Sequence, residues 1–291
     1  MQLKKLITTY YSSNDFNMLR DKSKQDYKYL LNVLMQDVGS QNCEHLTSKQ
    51  AKHLYEDWVK RGITFANHVC TVASRVYRYG IDMEYVTINP FANVKRKIPN
   101  QRKVVWSKEN VVQFLDYCYS DFTYRNIGLI VQMAYEWCQR IGDMRLLKWD
   151  SFDFEKKRLH LEQSKKRAEV FLPISDNLFE MFQQQREEFG FQEYVAPRIK
   201  PINGAYEPYG LVLISKIGRK AMQNANLPSE LRLMDIRRTG TTEMVEAGVP
   251  MGQIMSVTGH ANPQSVKPYM KNTFESANNA LTTRNMYDKS N

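Results

Sequence analysis

Apolar residues recur at helical spacing through the first part of the chain, on three separate stripes. The first stripe predicts a helix that ends at Gly39, and it consists of Tyr27, Leu30, Leu31, Leu34 and Val38. The second consists of Ala51, Leu54, Tyr55 and Trp58. The third, for which Gly80 is the predicted C-cap, consists of Phe65, Val69, Val72, Val76 and Tyr79. These stripes predict a bundle of three or four short amphipathic helices.

The pattern changes in the second part of the chain. Ser107 is a suitable N-cap for a helix over residues 108–119, and the apolar stripe from Ile127 to Ile141 predicts a longer helix. Within residues 149–172, apolar and polar residues alternate over short stretches that charged turns separate. This pattern predicts three antiparallel strands. After Pro173 the helical period returns over residues 178–189, 211–225, 235–247 and 250–258.

These elements predict a mainly helical α+β chain with two domains. A helical domain spans residues 1–92, a linker residues 93–103, a mixed domain with a small three-stranded antiparallel sheet residues 104–270, and a polar tail residues 271–291. The linker follows Asn89-Pro90 and has no apolar periodicity, so we expect it to be extended.

The composition favours a folded protein of a reducing compartment. Of the 291 residues, 42% are hydrophobic, which excludes wholesale disorder. No apolar run approaches the roughly 20 residues that span a bilayer, and the first residues lack the apolar segment of a secretory signal. The four cysteines lie far apart and no histidines have metal-ligand spacing, so we expect no disulfide scaffold, no metal site and a cytoplasmic location.

The net charge of +10 favours a polyanionic partner, and its distribution is uneven. Half of the excess lies in the linker, which has no acidic residue. Its basic residues are Lys95, Arg96, Lys97, Arg102 and Lys103. They are candidate contacts to a nucleic-acid backbone, although a merely solvated linker explains them equally well.

Four segments of the second domain carry candidate chemistry in a fixed order. They are CQRIGDMRLLKW at 138–149, LHLEQSKKRAEVFLPIS at 159–175, DIRRTGTTEMVEAGVPMGQIMSVTGH at 235–260, and a tyrosine nine residues after His260. Together they resemble the catalytic domain of tyrosine recombinases, the phage-integrase family, over most of residues 104–270. The helical first domain, with INPF at 88–91, resembles the core-binding domain of the same family.

The resemblance implies phosphoryl transfer without a metal or a nucleotide cofactor. A tyrosine attacks a DNA phosphate, which gives a 3′-phosphotyrosyl link and a free 5′-hydroxyl, and a second hydroxyl reverses the step on another strand. The transition state spreads negative charge over the non-bridging oxygens, so fixed cationic donors are needed. Arginine suits this role because it stays protonated and pairs with phosphate through two parallel hydrogen bonds.

The resemblance assigns one or more residues of this sequence to each of these catalytic roles. Arg140 and Arg237 form the phosphate clamp, Lys165 on the β-turn protonates the leaving 5′-oxygen, His260 hydrogen-bonds the phosphate or the nucleophile, and Tyr269 is the nucleophile. Asp143, one helical turn after Arg140, matches an acidic residue that buttresses the site.

Taken singly, most of these residues have an ordinary structural explanation. Tyr269 is one of 17 tyrosines, and Lys165 has Lys166 beside it on a turn where lysines are usually solvated. Arg237 has Arg238 as its neighbour, and we expect one of this pair to be a surface residue. The functional interpretation depends on the presence of all these residues together, in the order that the family shows.

One position departs from the family pattern. A histidine normally stands three residues before the second clamp arginine, and here that residue is Met234, whose thioether cannot donate a hydrogen bond. Three explanations follow: catalysis is slower but intact, another donor takes the place, or the protein is a binder that has lost activity. We favour intact activity because the other positions are present.

The leading hypothesis is a site-specific recombinase, an integrase of a phage or other mobile element. Its expected partners are double-stranded DNA, further copies of the chain in a tetramer on DNA with a monomer when free, and an accessory DNA-bending protein, with no membrane. The tail at 271–291 either docks on a neighbouring protomer or frays. Alternatives are relaxation of supercoils in the manner of type IB topoisomerases and a non-catalytic DNA-binding relative of recombinases.

Overall fold

The computed structural model describes residues 1–165, 167–270 and 274–290. The chain divides into two compact units, residues 1–102 and residues 103–291. Each unit has its own hydrophobic core. Within the described ranges, no helix is both long and apolar enough to cross a membrane.

The first unit is built of helices around a core that includes Leu6, Leu34, Tyr77 and Phe91. The helices are α1 Leu3–Tyr11, α2 Asn14–Asn17, α3 Asp21–Val38, α4 Ser48–Lys60 and α5 Ile63–Asp82. Helices α3, α4 and α5 carry the three apolar stripes that the sequence predicts. Helix α1 lies outside those stripes, and its buried face packs on α3 and α5.

The predicted end of the third helix at Gly80 is wrong. Helix α5 continues to Asp82, and Gly80 is buried inside it. A Cβ at this position would lie 2.9 Å from Val86 Cγ2 and 3.2 Å from the Leu6 methyl groups. Glycine therefore permits close packing at this point and does not end the helix.

The first half of the basic segment 93–103 packs against the first unit. Val94 is buried, and the Lys97 amide donates a hydrogen bond to the Tyr55 hydroxyl at 2.7 Å. Asn67 donates from its side-chain amide to the Lys97 carbonyl at 2.9 Å. The segment has no helix or strand, yet its backbone at Lys97 is held by two side chains.

The second unit combines helices with one small sheet. Its helices are α6 Lys108–Ser120, α7 Phe122–Glu136, α8 Ile141–Met144, α9 Asp176–Phe189, α10 Leu211–Asn224, α11 Ile236–Glu246, α12 Met251–Thr258 and α13 Phe274–Ser290. Its strands are β1 Phe152–Asp153, β2 Arg158–Glu162 and β3 Glu169–Pro173. Ser107 caps α6 as predicted, accepting a hydrogen bond from the Asn110 amide at 3.2 Å.

The three strands form the predicted antiparallel sheet in the order β1–β2–β3. Leu159 pairs with Leu172 and Leu161 with Val170, and these four side chains are buried. Because side chains alternate across a strand, the residues between them face outward. The strictly alternating burial is why the period-2 pattern could be recognised in the sequence.

The long helix predicted to run to Ile141 ends earlier. Helix α7 stops at Glu136, and Cys138 adopts a φ of +51°, which an α-helix cannot accommodate. The chain turns here and restarts as the short helix α8 with Arg140 at its N-cap position. This break is what directs Arg140 away from the apolar stripe of α7.

Candidate active site

Four of the predicted site residues line one cavity in the second unit. The cavity has a volume of about 440 Å³, and Arg140, Arg237, His260 and Tyr269 all contribute to its wall. Met234 lines the same cavity. The arrangement brings two guanidinium groups, an imidazole and a phenol together from segments far apart in the chain.

Arg237 lies in the first turn of α11 and is only 8% exposed. Its Nη2 donates to the Thr258 carbonyl at 2.7 Å and lies 3.3 Å from His260 Nε2. Its Nη1 is buried and has no hydrogen-bond partner among the described residues. A buried donor left unpaired costs free energy, so this nitrogen is suited to an anionic ligand that enters the cavity.

Burial and the positive charge of Arg140 lower the pKa of Arg237 to about 10, and the Tyr269 side chain partly offsets this effect. The guanidinium is therefore still protonated at neutral pH. An anion in the cavity would relieve the repulsion between the two arginines, because each would then face a negative charge.

Close helix packing places Arg237 beside the α7–α8 turn. A Cβ at Gly240, one turn after Arg237, would lie 2.6 Å from the Tyr135 carbonyl oxygen and 2.7 Å from Cys138 Sγ. Only glycine allows α11 to approach the end of α7 this closely. Thr239 adds a hydrogen bond from the Trp106 amide to its hydroxyl at 3.0 Å.

Arg140 is held by the turn between β2 and β3. Its Nη1 donates to Gln163 Oε1 at 2.8 Å and lies 3.6 Å from Asp143 Oδ2. Asp143 is buried, and its Oδ1 accepts from both the amide of Ser164, at 3.1 Å, and the Ser164 hydroxyl. Asp143 therefore contacts both Arg140 and the turn that carries Lys165.

His260 follows Gly259, whose φ of +68° ends α12. The Thr258 hydroxyl lies 2.7 Å from the Ile254 carbonyl oxygen, to which it donates, and 2.7 Å from His260 Nδ1. Since the single hydroxyl proton goes to the carbonyl, Nδ1 carries a proton and donates to Thr258. In the neutral ring Nε2 is then the acceptor, directed at Arg237.

Tyr269 lies in a short 3₁₀ turn, Lys267–Tyr269, and its ring centre is 5.8 Å from that of His260. The Arg238 guanidinium carbon lies 5.1 Å from the Tyr269 ring centre, and Arg238 Nη1 donates to the Pro268 carbonyl at 3.3 Å. Arg238 is thus half-buried on the tyrosine, where we expected an ordinary surface residue beside Arg237.

The other predicted residues lie elsewhere. Lys165 is exposed on the β2–β3 turn and is not among the described residues that line the cavity, and Lys166 falls outside the described residues. The linker residues Lys95, Arg96, Lys97 and Arg102 belong to the first unit and Lys103 to the second. Arg96 donates to the Thr71 hydroxyl at 2.8 Å.

Gln163 is a site residue that sequence reasoning missed. It is fully buried, accepts from Arg140, and donates from Nε2 to Gln139 Oε1 at 2.7 Å and to the Thr258 carbonyl at 2.8 Å. The Thr258 carbonyl thus accepts from both Gln163 and Arg237. A lone glutamine at the end of a strand gives no signal in a single sequence, because its side-chain partners come from two other segments.

We expect Gln163→Leu to slow the reaction of this site without unfolding the chain. The substitution removes the acceptor that orients Arg140, and a displacement of about 1 Å in a catalytic group can cost about 10²-fold in rate. The rate of covalent DNA adduct formation measures the effect. Gln184→Leu, an exposed substitution on α9, is the control; equal rates for the two variants would contradict this positioning role.

The part of the chain that the structure describes contains neither a cluster of metal-ligating side chains nor a disulfide. No group of three or more histidine, cysteine, aspartate or glutamate side chains could hold a metal ion there. The four cysteines are buried and free.

Solved structures with the same fold are integrases bound to DNA. A lambda integrase dimer bound to a COC′ core site matches with 16% identity and a TM-score of 0.80, over 94% of this chain and 97% of that chain. The Tn1549 transposon integrase in complex with transposon right end DNA matches with 16% identity and a TM-score of 0.79, over 97% and 99%. A lambda integrase tetramer bound to a Holliday junction matches with 16% identity and a TM-score of 0.78, over 93% and 78%. No curated protein matches this chain.

The sequence profile of the phage integrase family matches residues 105–276, more than half of the chain and all of the segment that forms the cavity. The mainly helical fold with its three-stranded antiparallel sheet agrees with this match. The chain therefore belongs to the phage integrase family and is a site-specific tyrosine recombinase.

Proposed function

We propose that this recombinase cuts DNA with Tyr269 as the nucleophile. The Tyr269 hydroxyl gives its proton to His260 Nε2 in the same cavity, its oxygen attacks the phosphorus, the P–O5′ bond breaks, and the DNA 3′ end stays linked to the enzyme as a phosphotyrosine. The departing 5′-oxygen takes a proton from Lys165. Attack of another 5′-hydroxyl on the phosphotyrosine reverses the step, releases Tyr269 and joins a new pair of strands.

The observation that carries the proposal is the buried, unpaired Nη1 of Arg237 in the cavity wall shared with Arg140, His260 and Tyr269. A phosphate in this cavity gives Nη1 the acceptor that it lacks. Two fixed guanidinium groups then face the charge that develops on the non-bridging oxygens, where preorganised donors have the largest effect on rate.

The remaining site residues act through orientation. Asp143 contacts both Arg140 and the amide of Ser164, the residue before Lys165. It therefore positions an arginine of the clamp and the proton donor together. His260 reaches the same cavity while Thr258 fixes its ring. Lys165 on its exposed turn moves over the leaving oxygen when DNA binds.

Met234 is 74% exposed at the cavity, where a histidine would supply one more donor. We expect Met234→His to leave the rate of adduct formation equal or raise it, since the new imidazole can hydrogen-bond a phosphate oxygen. Single-turnover kinetics on one DNA site measures the change. Complete loss of activity would contradict the alignment of this segment with the family pattern.

The proposed assembly is a tetramer of protomers on two DNA duplexes, formed from monomers, with an accessory DNA-bending protein as a further partner. A lambda integrase of the same fold is recorded as a tetramer on a Holliday junction. Residues 277–286 of helix α13 are exposed, and this helix is the segment that we propose docks on a neighbouring protomer. The natural substrate is the integration site of a phage or other mobile element.

The basic segment is proposed to contact the DNA backbone. Replacing Lys95, Arg96, Lys97, Arg102 and Lys103 by Gln should flatten the dependence of log Kd on log salt concentration. The expected change is up to about 0.9 in slope for each lost phosphate contact, because fewer counterions are released. Fluorescence titration over a salt series measures the slope.

A matched control neutralises lysines that are already paired with carboxylates. Lys60, Lys148, Lys156 and Lys157 each lie within ion-pair distance of an aspartate or glutamate. Their replacement by Gln lowers the net charge by a similar amount but should change the slope little. If both variants have the wild-type slope, the basic segment is only solvated.

The function as a whole is tested with a nicked suicide substrate that carries DNA flanking the gene in its own genome. We expect a covalent protein–DNA adduct, since the nick lets the 5′ fragment diffuse away and traps the phosphotyrosine. DNA binding without an adduct under any condition would favour a non-catalytic binder. Relaxation of a plasmid that lacks any cognate site would favour the topoisomerase alternative.

A further inference from the structure

Two arginines outside the predicted clamp converge at the same cavity. Arg219 Nη1 donates to the Ser229 carbonyl at 2.9 Å, and Arg232 Nη1 donates to the same oxygen at 2.8 Å. Arg232 Nη1 also lies 3.0 Å from the Leu231 carbonyl oxygen. Both side chains line the cavity that contains Arg140, Arg237, His260 and Tyr269.

The convergence is fixed by the packing of α10 against the turn before α11. A Cβ at Gly218 would lie 2.3 Å from Leu233 Cδ1, so a larger residue at position 218 would displace the Leu233 side chain from its packing on α10. Their sequence neighbours, Arg219 and Arg232, are thereby brought side by side. The Arg232 backbone is held as well, since its carbonyl accepts from Trp106 Nε1 at 3.2 Å and its amide donates to Asp235 Oδ2 at 2.9 Å.

The part of the cavity wall formed by Arg219 and Arg232 has the chemistry of a phosphate subsite. Ser215 lies one turn before Arg219 on α10, and its hydroxyl adds a neutral donor to the same wall. No aspartate or glutamate is among the described residues that line the cavity. Two half-buried guanidinium groups therefore meet at one point of the wall, and planar guanidinium groups are well suited to pair with a phosphate.

The cavity, of about 440 Å³, is lined by more cationic groups than the scissile phosphate uses in the proposed reaction. In the proposed reaction, the clamp arginines and Tyr269 contact the scissile phosphate. The Arg219–Arg232 pair is then available to bind a second phosphate.

We propose that Arg219 and Arg232, with Ser215, form a second phosphate subsite, which binds the backbone phosphate adjacent to the scissile phosphate on the cleaved strand. This proposal rests on the proposed function, because the scissile phosphate defines the neighbour. Contacts on both phosphates fix the strand at two points, so the phosphorus is presented to Tyr269 in a single orientation.

The test combines protein variants with single neutral phosphates in the DNA. A series of nicked duplexes carries one methylphosphonate, either at the scissile position or at each of the flanking positions in turn. The Kd of the full chain is measured for the wild type, for Arg219→Gln with Arg232→Gln, and for Lys220→Gln. Lys220 is exposed on the same helix but does not line the cavity, so its variant is the matched control for lost charge.

On unmodified DNA the double variant should bind about tenfold more weakly than the wild type, because charge-assisted hydrogen bonds to phosphate are lost. The difference should vanish on the duplex whose methylphosphonate lies next to the scissile position, and the Lys220→Gln penalty should persist there. A difference that persists on every duplex, or that vanishes only at the scissile position, would overturn the proposal.

Two further measurements separate failure of the subsite from failure of the fold or of the proposed function. Arg219→Lys with Arg232→Lys keeps both charges and should recover part of the lost affinity. Adduct formation by the wild type on unmodified DNA is recorded first. Absence of that adduct counts against the proposed nucleophile, whereas a normal adduct with an unchanged Kd in the double Gln variant counts against the subsite alone.

Discussion

Tyr269→Phe is expected to abolish the covalent DNA adduct while leaving DNA binding intact. The substitution removes only the hydroxyl oxygen that forms the bond to phosphorus, and loss of a nucleophile lowers turnover by about 10⁴-fold or more. The ring keeps its contacts with His260 and with the Arg238 guanidinium, so the cavity retains its shape. Denaturing gel electrophoresis of the suicide-substrate reaction measures the adduct, and an electrophoretic shift measures binding.

Tyr206→Phe is the matched control for this prediction. Tyr206 lies in the same unit, packs its ring against Phe189 and Phe191, and is outside the cavity. This variant should form the adduct at the wild-type rate. An adduct in the Tyr269→Phe protein would mean that another side chain attacks the DNA, and the assignment of the nucleophile would be wrong.

Arg237→Lys should have the second-largest effect. The arginine uses Nη2 for the Thr258 carbonyl and keeps Nη1 for the substrate, whereas a shorter ammonium cannot serve both directions. Loss of one preorganised donor at a developing negative charge costs about 10²–10³-fold in rate. The measurement is the single-turnover rate of adduct formation at saturating protein, which separates chemistry from binding.

A substrate with altered charge distinguishes direct contact of Arg237 with the phosphate from misfolding of the variant. A methylphosphonate at the scissile position removes a negative oxygen, so less cationic stabilisation is needed and the ratio of wild-type to variant rates should shrink. Arg186→Lys, an exposed arginine of α9 packed on Phe154, should react like the wild type on both substrates. An undiminished ratio with methylphosphonate DNA would contradict direct contact between Arg237 and the phosphate.

Much of the fold could be predicted because its signals are local. The stripes of α3, α4 and α5 and the alternation of β2 and β3 follow from which residues are buried, and each pattern is complete within one segment. The structure departs from the local pattern where packing between segments overrides it. Gly80 resembles a helix end but lies inside α5 against Leu6, and the stripe beyond Glu136 is interrupted by the positive φ of Cys138.

Some residues of the candidate site could likewise be recognised from the sequence, and others could not. The types and order of Arg140, Arg237, His260 and Tyr269 could be recognised in the sequence, because phosphoryl transfer requires fixed cations and a nucleophile. The roles of Gln163 and Arg238 could not, since each acts through a partner from another segment. A single glutamine or arginine has no pattern that separates it from a solvated residue.

The helical first unit, the small sheet and the family follow from the sequence alone, as do the residues of the proposed catalytic set. The packing of distant segments adds three features that the sequence does not show. Arg237 is buried with one unpaired nitrogen, Gln163 bonds to both Arg140 and the Thr258 carbonyl, and Arg219 and Arg232 meet on one carbonyl. The two kinds of information differ in the sequence distance over which residues determine them. Periodicity records whether each residue is buried, whereas hydrogen-bond partners and charge clusters depend on how closely distant segments approach, as at Gly240, where only glycine fits beside the Tyr135 carbonyl.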